Sequence, residues 1–259
     1  HGLGANDAKG CLAALVRAFL DAKVPKGGQL LLAATCDEET GKEGLGELRP
    51  ELPRIDAAII GEPTLLEVCS CQRGLLRLRL RAKGRRAHAA RPWQGENAIE
   101  KAARDVGRLT GLELPVHPLL GPTTLQVTMI EGGVKTNVIP PECVMEIDAR
   151  TVPEMDNAAL RARVEEAVES EVELVSDRFV PIETPASEAI VRAALAAAGR
   201  DAPRAFGGVS DFFHVRDVPA VVMGPGRPEQ SHAADEWVET SQLERAVAVY
   251  RETIERYLA

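Results

Sequence analysis

The sequence is poor in aromatic residues, its basic residues are outnumbered by acidic ones, and it contains no long apolar run. Phe, Trp and Tyr make up 3% of the 259 residues, so aliphatic side chains must fill most of the core. No apolar stretch approaches the roughly 18 residues that a membrane-spanning helix needs. Basic residues number 31 against 39 acidic ones, a formal net charge of -8. Because nucleic-acid-binding proteins usually carry a basic surface, we expect neither a nucleic-acid nor a membrane partner.

Cysteine is also scarce. The five cysteines are scattered and form no CxxC pair; they are Cys11, Cys36, Cys69, Cys71 and Cys143. An odd, scattered set does not indicate a disulfide framework, and two sulfurs alone make a poor metal site. Reduced thiols in a cytoplasmic protein are therefore the expected state. The remaining composition, 45% hydrophobic and 27% charged, is typical of a soluble globular protein.

Apolar periodicity predicts α/β layering at both ends of the chain. Residues 8–22 carry apolar positions at helical spacing, and Asp7 stands where an N-cap would. Residues 29–36 and 55–60 are continuous apolar runs, which are typical of strands buried on both faces. After Pro181 the pattern predicts an Ala-rich helix at 186–198, a buried strand at 220–223 and an amphipathic closing helix at 241–258.

The middle of the chain has a different pattern. Residues 75–82 alternate strictly between apolar and polar side chains, as an antiparallel strand with one solvated face does. The other elements expected there are a helix at 96–109, strands at 123–130 and 143–150, and a helix at 157–168. We therefore predict an α/β domain, residues 1–71 and 179–259, interrupted by an inserted α+β domain, residues 72–178.

Acidic side chains stand at the ends of several predicted elements. Asp7 precedes the first helix, whereas Asp37–Glu39 and Glu62 each follow a predicted buried strand, and His232 follows the last one. The carboxyl ends of strands form the ligand crevice of open α/β sheets. Carboxylates that crowd together repel each other unless a cation lies among them. Convergence of these residues would therefore imply a divalent metal, and a bridging carboxylate would imply two.

Each of these positions also has an ordinary structural interpretation. Asp7 alone fits a helix cap, and Asp37–Glu39 fits a solvated loop or helix start. Glu62 before Pro63 fits a turn, and a lone His232 fits a surface histidine. From the residues alone, the metal site and these structural roles are equally good interpretations.

A series of motifs along the whole chain resembles a single family. The motifs are Gly2–Gly10, Thr35–Glu39, Gly61–Thr64, Gly84–Ala89 with Gly95–Ile99, Glu131–Gly133, Thr136–Pro140, Asp148–Arg150 and Ser231–Glu236. Together they resemble the co-catalytic zinc amidohydrolase and peptidase family that includes acetylornithine deacetylase, succinyl-diaminopimelate desuccinylase, aminoacylase and glutamate carboxypeptidase. Within that family, the segment 117–122 is most similar to acetylornithine deacetylase.

The resemblance implies a fold, a metal centre and a reaction. The fold is a zinc-peptidase-like catalytic domain, a mixed sheet flanked by helices, with a ferredoxin-like lid or dimerisation domain inserted. Two zinc ions, for which cobalt or manganese could substitute, are bridged by Asp7; Glu62 binds the first, and Glu39 and His232 bind the second. Glu38 is the general base that takes a proton from the attacking water and passes it to the leaving amine. The expected reaction is hydrolysis of the amide bond of an N-acyl amino acid.

The resemblance also implies substrate-binding residues and a homodimer formed through the inserted domain. His88, supplied by the partner subunit, stabilises the oxyanion, while Asn137 and Arg150 hold the α-carboxylate of the substrate. Ser210 and Asp211 lie in a loop that resembles a substrate loop of the family. The start of a helix is an equally good interpretation of Asp211.

The chain departs from the family at the first metal. The family supplies that metal with a histidine from an HxD segment upstream of the bridging aspartate, and none precedes Asp7. His1 is not assigned as its substitute. We therefore expect an N-terminal segment to be missing, and these residues alone to be inactive or weakly active. The alternatives to an acetylornithine deacetylase-like enzyme are a succinyl-diaminopimelate desuccinylase, a zinc exopeptidase, a truncated non-catalytic dimerising protein, and a structural α/β protein.

Overall fold

The computed structural model describes residues 1–40 and 43–259, which divide into two compact units. The first, here called the discontinuous unit, consists of His1–Gln72 and Ile182–Ala259. The second, the inserted unit, is Arg73–Pro181. Strands and helices occur in both, so the expected class, an α/β fold with an inserted α+β unit, is confirmed. No helix among the described residues combines the length and the apolar character needed to cross a membrane.

The elements are numbered along the chain. The α-helices are α1 (Cys11–Asp21), α2 (Gly44–Leu48), α3 (Ala98–Thr110), α4 (Asn157–Ala167), α5 (Ala189–Ala198) and α6 (Thr240–Leu258). The strands are β1 (Ala58–Gly61), β2 (Cys69–Gln72), β3 (Gly74–Lys83), β4 (Ala87–His88), β5 (Val116–His117), β6 (Gly121–Pro122), β7 (Thr124–Gly132), β8 (Val138–Ile139), β9 (Glu142–Thr151), β10 (Glu171–Phe179), β11 (Ile182–Glu183), β12 (Arg204–Phe206) and β13 (Ala220–Met223). Short 3₁₀ turns occur at Arg49–Glu51, Pro92–Gln94, Asp211–Val215 and Pro228–Gln230.

The discontinuous unit is built on a mixed sheet. Its strand order is β1-β13-β2-β11, with β12 pairing to β2. β1 runs parallel to β13, whereas β13 and β11 run antiparallel to β2. Val221 and Met223 of β13 share one core cluster with residues of α1, α5 and α6, and the buried Tyr250 hydroxyl donates to the Met223 carbonyl at 2.7 Å. The helix–sheet core therefore joins segments from both ends of the chain.

The run 29–36 does not form the buried strand that its composition predicts. None of these residues is assigned to a strand, and Leu31 and Leu32 are 41% and 37% exposed. A strand needs a neighbour that completes its ladder of hydrogen bonds, and no strand in the described part of the chain pairs with this run. Apolar composition indicates a tendency towards burial, but it does not show whether a neighbouring strand is present to pair with the run.

The first helix begins later than its periodicity suggests. α1 starts at Cys11, and the preceding segment Ala5–Gly10 is a π-helical turn in which Asp7 has non-helical backbone angles, φ −119° and ψ 95°. The N-cap position of α1 is Gly10, which offers no side-chain cap. Asp7 is therefore not the N-cap of this helix, and its carboxylate faces His232 instead.

The inserted unit is a four-stranded antiparallel sheet in the order β10-β3-β9-β7. The alternation predicted for 75–82 is confirmed, because Leu76, Leu78 and Leu80 are fully buried while the arginines between them lie on the other face. The buried leucines pack with residues of β9, α3 and α4. On the solvated face, Arg79 pairs with Glu146 at 2.7 Å across the β3–β9 ladder.

Candidate metal centre

Three side chains with metal-binding atoms converge within the discontinuous unit. Asp7, Glu39 and His232 each offer one ligand atom, and these atoms lie within 4.8 Å of one another. His232 Nε2 is 4.0 Å from Asp7 Oδ2 and 3.7 Å from Glu39 Oε2. Two carboxylates and one imidazole are a donor set that suits zinc and similar divalent cations. The residues present therefore fit the cation that the sequence predicts.

The three ligands differ in exposure. The side chain of Asp7 is 13% exposed, that of Glu39 48% and that of His232 73%. His232 also has a φ of 62°, in the left-handed region that residues other than glycine adopt infrequently. Such backbone conformations are concentrated at functional sites. The centre is open to solvent on the side of His232 and closed on the side of Asp7.

A cavity of about 680 Å³ adjoins this centre within the same unit. Asp7 and Glu39 line it, together with Glu38, Glu62 and Asp211. Glu62 is 7% exposed and follows β1, as expected, but it lies outside the group of three converging ligands. The structure thus brings every predicted acidic site residue of the unit to one cavity, and it brings three of the four predicted ligands into mutual contact range.

The local charge of the centre is negative. Burial and then the carboxylates of Glu62 and Asp7 raise the pKa of the Cys11 thiol well above its usual value. A thiol responds in this way because its anionic form is disfavoured both by low polarity and by nearby negative charge. The same field favours a bound cation.

Two buried polar residues flank the centre. They lie within the motifs, but the sequence predicts no role for them. Asn6 is fully buried and Glu236 is 3% exposed. Burial opposes the charge of Glu236, but hydrogen bonds from the backbone N–H groups of Asp7, Gly4 and Asn6 hold the pKa of this carboxyl below its usual value. Their closeness in sequence to Asp7 and His232 is the signal that could have identified them. Their burial could not be predicted in the same way, because it depends on the tertiary fold.

Ser210 and Asp211 begin a 3₁₀ turn. Ser210 is buried, and its hydroxyl donates to Gln72 Oε1 at 3.0 Å and accepts from the Phe212 N–H. Asp211 lines the cavity and accepts a hydrogen bond from Thr35 Oγ1 at 3.4 Å. The Ser210 hydroxyl therefore holds the turn, while the Asp211 carboxylate faces the space next to the metal ligands.

In the inserted unit, His88 and Asn137 lie together. β4 pairs with β8, and the backbone N–H of Ala89 donates to the Asn137 carbonyl at 3.0 Å. His88 is exposed, and its Nδ1 accepts from the Ala90 N–H at 3.1 Å. Because Nδ1 is the acceptor, Nε2 carries the proton of the neutral ring and can donate it.

Arg150 stands apart from this pair. Its guanidinium binds Asp148, with Nε 2.8 Å from Oδ1. β9 begins at Glu142, just after the segment of Asn137, and Arg150 is at its other end. At about 3.3 Å per strand residue, eight residues correspond to about 26 Å. Asn137 therefore precedes one end of β9 and Arg150 lies at the other. His1, in the other unit, contacts Asp235 at 3.4 Å and is not among the converging ligands.

The sequence is similar along its whole length to a deacetylase and a desuccinylase. An acetylornithine deacetylase of Myxococcus xanthus is 33% identical, with 98% of this chain and 71% of that protein covered. A succinyl-diaminopimelate desuccinylase of Corynebacterium glutamicum is 29% identical, with 97% of this chain and 73% of that protein covered. Residues 71–174 match the family model described as a peptidase dimerisation domain of the M20 class.

Solved structures share the fold. The aminopeptidase PepT of Bacillus cereus superposes with a TM-score of 0.78 at 21% identity, over 97% of this chain and 71% of that one. An M20 family metallo-carboxypeptidase of Sulfolobus solfataricus gives a TM-score of 0.66 at 17% identity, over 98% of this chain and 77% of that one. At these identities the superpositions establish the architecture alone.

Proposed function

This chain belongs to the M20 peptidase family, and from that premise we propose that it is a zinc-dependent hydrolase that cleaves the amide bond of an N-acyl amino acid. The observation that supports the proposal is the convergence of Asp7, Glu39 and His232 at a cavity that Glu38 and Glu62 also line. Residues that lie far apart in the sequence meet there with a donor set suited to a divalent cation.

In this proposal Asp7, Glu39 and His232 would hold one cation, and Glu62 together with Asp7 would hold a second. A bound divalent cation supplies Lewis acidity, which makes water a nucleophile near neutral pH. Cobalt and manganese accept the same kinds of ligand and could replace zinc. Family membership supports a dinuclear centre, and the donor set supports zinc as its metal.

Glu38 carries the proton in the proposed reaction. It lies two residues after the run 29–36, it is half-buried, and it lines the cavity next to Glu39. At that position, an Oε atom of the Glu38 carboxylate can accept a proton from the attacking water and then donate it to the leaving nitrogen. In this proposal Asp211, which lines the same cavity, contacts the substrate.

The proposal includes a homodimer formed through the inserted unit. β7 is an edge strand of its sheet, and it exposes two adjacent apolar side chains, Met129 at 67% and Ile130 at 56%. An exposed apolar edge is a template for pairing with another strand. In such a dimer, His88 of one copy donates from Nε2 to the developing oxyanion of the substrate bound to the other.

The preferred substrate in this proposal is Nα-acetylornithine, with N-succinyl-diaminopimelate as the second candidate. The similarity to the Myxococcus xanthus deacetylase supports the first, and that to the Corynebacterium glutamicum desuccinylase supports the second. The protein loaded with zinc is incubated with each compound, and release of the free amine is followed. Because the histidine that the family supplies to the first metal is absent, we expect at most weak turnover, faster for acetylornithine and lost on chelation of the metal.

Two variants control this experiment. Asp7→Asn removes a ligand and should abolish both zinc binding and turnover, whereas Asp201→Asn, at an exposed position, should change neither. Cleavage of other amides by the zinc-loaded protein, but of neither compound, would reject the N-acyl amino acid as substrate. If the protein contains no zinc after dialysis against a zinc solution, the metal centre is rejected and a non-catalytic dimerising protein is favoured.

A further inference from the structure

The loop that carries Asp7 and the loop that carries His232 are joined by the side chains of Asn6 and Glu236. We propose that these two buried residues are positioning residues, which clasp the two loops and set the separation of Asp7 and His232 at which a divalent cation binds. The inference rests on the proposed metal centre and assigns a role to two residues that the proposed reaction does not use.

Glu236 forms one half of the clasp. Its Oε1 accepts hydrogen bonds from the backbone N–H groups of Asn6 at 2.8 Å and Asp7 at 2.6 Å, and its Oε2 accepts from that of Gly4 at 2.7 Å. Hydrogen bonds to a carboxylate are roughly twice as strong as neutral ones. A side chain four residues beyond His232 thus fixes the backbone at Asp7 itself.

Asn6 forms the other half, in the opposite direction. Its Oδ1 accepts from the Arg227 N–H at 2.9 Å, and its Nδ2 donates to the Arg227 carbonyl at 3.0 Å and to Ser231 Oγ at 3.4 Å. The residue before Asp7 therefore binds the loop that leads to His232. Gly226 permits this approach, because it has a φ of 97° and a Cβ there would collide with Asn6 Oδ1.

Two of the three proposed ligands are exposed to solvent. His232 is 73% exposed and Glu39 48% exposed, so packing does not fix their positions. The carboxylates of Asp7 and Glu39 repel each other when no cation is bound. The hydrogen bonds of Asn6 and Glu236 keep Asp7 and His232 close before the cation binds. Such preorganisation raises the affinity for the cation, because fewer conformational degrees of freedom are lost on binding.

The test compares Glu236→Gln with a matched control in the inserted unit, Asp105→Asn. Asp105 is also a fully buried carboxylate, and it accepts from the N–H groups of Glu169 and Ser170 at 3.0 Å. The full chain is titrated with Co²⁺, the visible spectrum and Kd are recorded, and the unfolding midpoint is measured without metal. Both variants should lower the midpoint. Glu236→Gln alone should weaken Co²⁺ binding, by roughly 10- to 100-fold, and alter the spectrum.

Asn6→Ala provides the second variant, and it should also weaken Co²⁺ binding and alter the spectrum. If Glu236→Gln does not fold, Co²⁺ titration of Asn6→Ala tests the proposal instead. If the wild type binds Co²⁺ and the folded variants bind it equally tightly with the same spectrum, the clasp is wrong and the metal centre stands. If Asp105→Asn weakens binding as much as Glu236→Gln, the role of Glu236 is merely structural. If the wild type binds no Co²⁺, the proposed function fails and the clasp fails with it.

Discussion

At the scale of single residues, buried polar side chains show where the chain fixes its loops. In the inserted unit, Asn157 donates to the carbonyls of Leu75, Asp177 and Phe179 and accepts from Thr151 Oγ1, so it ties the ends of three strands together. In the discontinuous unit, side chains of the same kind bind the loops of the proposed metal ligands. Burying such a group without partners would cost about 1–3 kcal/mol, which is why each has several.

The adjacent residues Glu38 and Glu39 provide a prediction at this scale. Glu38→Gln should lower kcat roughly 100- to 10,000-fold, because the amide cannot take the proton, while zinc content stays unchanged. Glu39→Gln should instead lose zinc, because the amide is a weaker ligand for it. Metal analysis and kcat on the same preparations separate the two effects. Loss of zinc in Glu38→Gln would show that Glu38 is a ligand rather than a base.

At the scale of elements, periodicity predicts the inserted unit better than the discontinuous one. The alternation of β3 and the helical spacing of α3 are properties of the local sequence, and Asn97 completes the start of α3 by accepting from the Ile99 N–H at 3.0 Å. β10 also alternates, with Val172 and Leu174 facing the core, but the prediction did not use this signal. The run 29–36 shows the limit, since a strand depends on a neighbour that local sequence does not reveal.

We expect lysine substitutions on the two edge strands of the inserted sheet to affect dimerisation differently. The double variant Met129→Lys/Ile130→Lys places two charges on β7 and should convert a dimer to monomers, because lysine on an edge blocks strand pairing. Val175→Lys is the matched control, at a 45% exposed position on the opposite edge strand, β10. Sedimentation velocity measures the outcome. A dimer that survives the double variant, or one that dissociates with Val175→Lys, would place the interface elsewhere.

At the scale of the whole molecule, the chain enters and leaves the inserted unit at a single place. Gln72, the last residue of the discontinuous unit before the insertion, pairs with Ile182, the first residue after it. The motifs single out Asp7, Glu39, Glu62 and His232 because each lies in a local pattern of the sequence. That three of them would meet within 4.8 Å depended on tertiary folding, and so did the burial of Asn6 and Glu236, which no local pattern encodes.

Because Asp7, Glu39 and His232 come from three distant segments, a bound cation should stabilise the discontinuous unit as a whole. In a Trp93→Phe background, Trp237 is the single remaining tryptophan and reports on that unit. At a free zinc concentration 100 times Kd, the free energy of unfolding should rise by about 2.7 kcal/mol, since the cation binds the folded state and not the separated segments. Denaturant titration followed by Trp237 fluorescence measures this increase. Adding Asp7→Asn should abolish it, and an equal increase in that variant would mean that zinc binds elsewhere and that the three segments do not form its site.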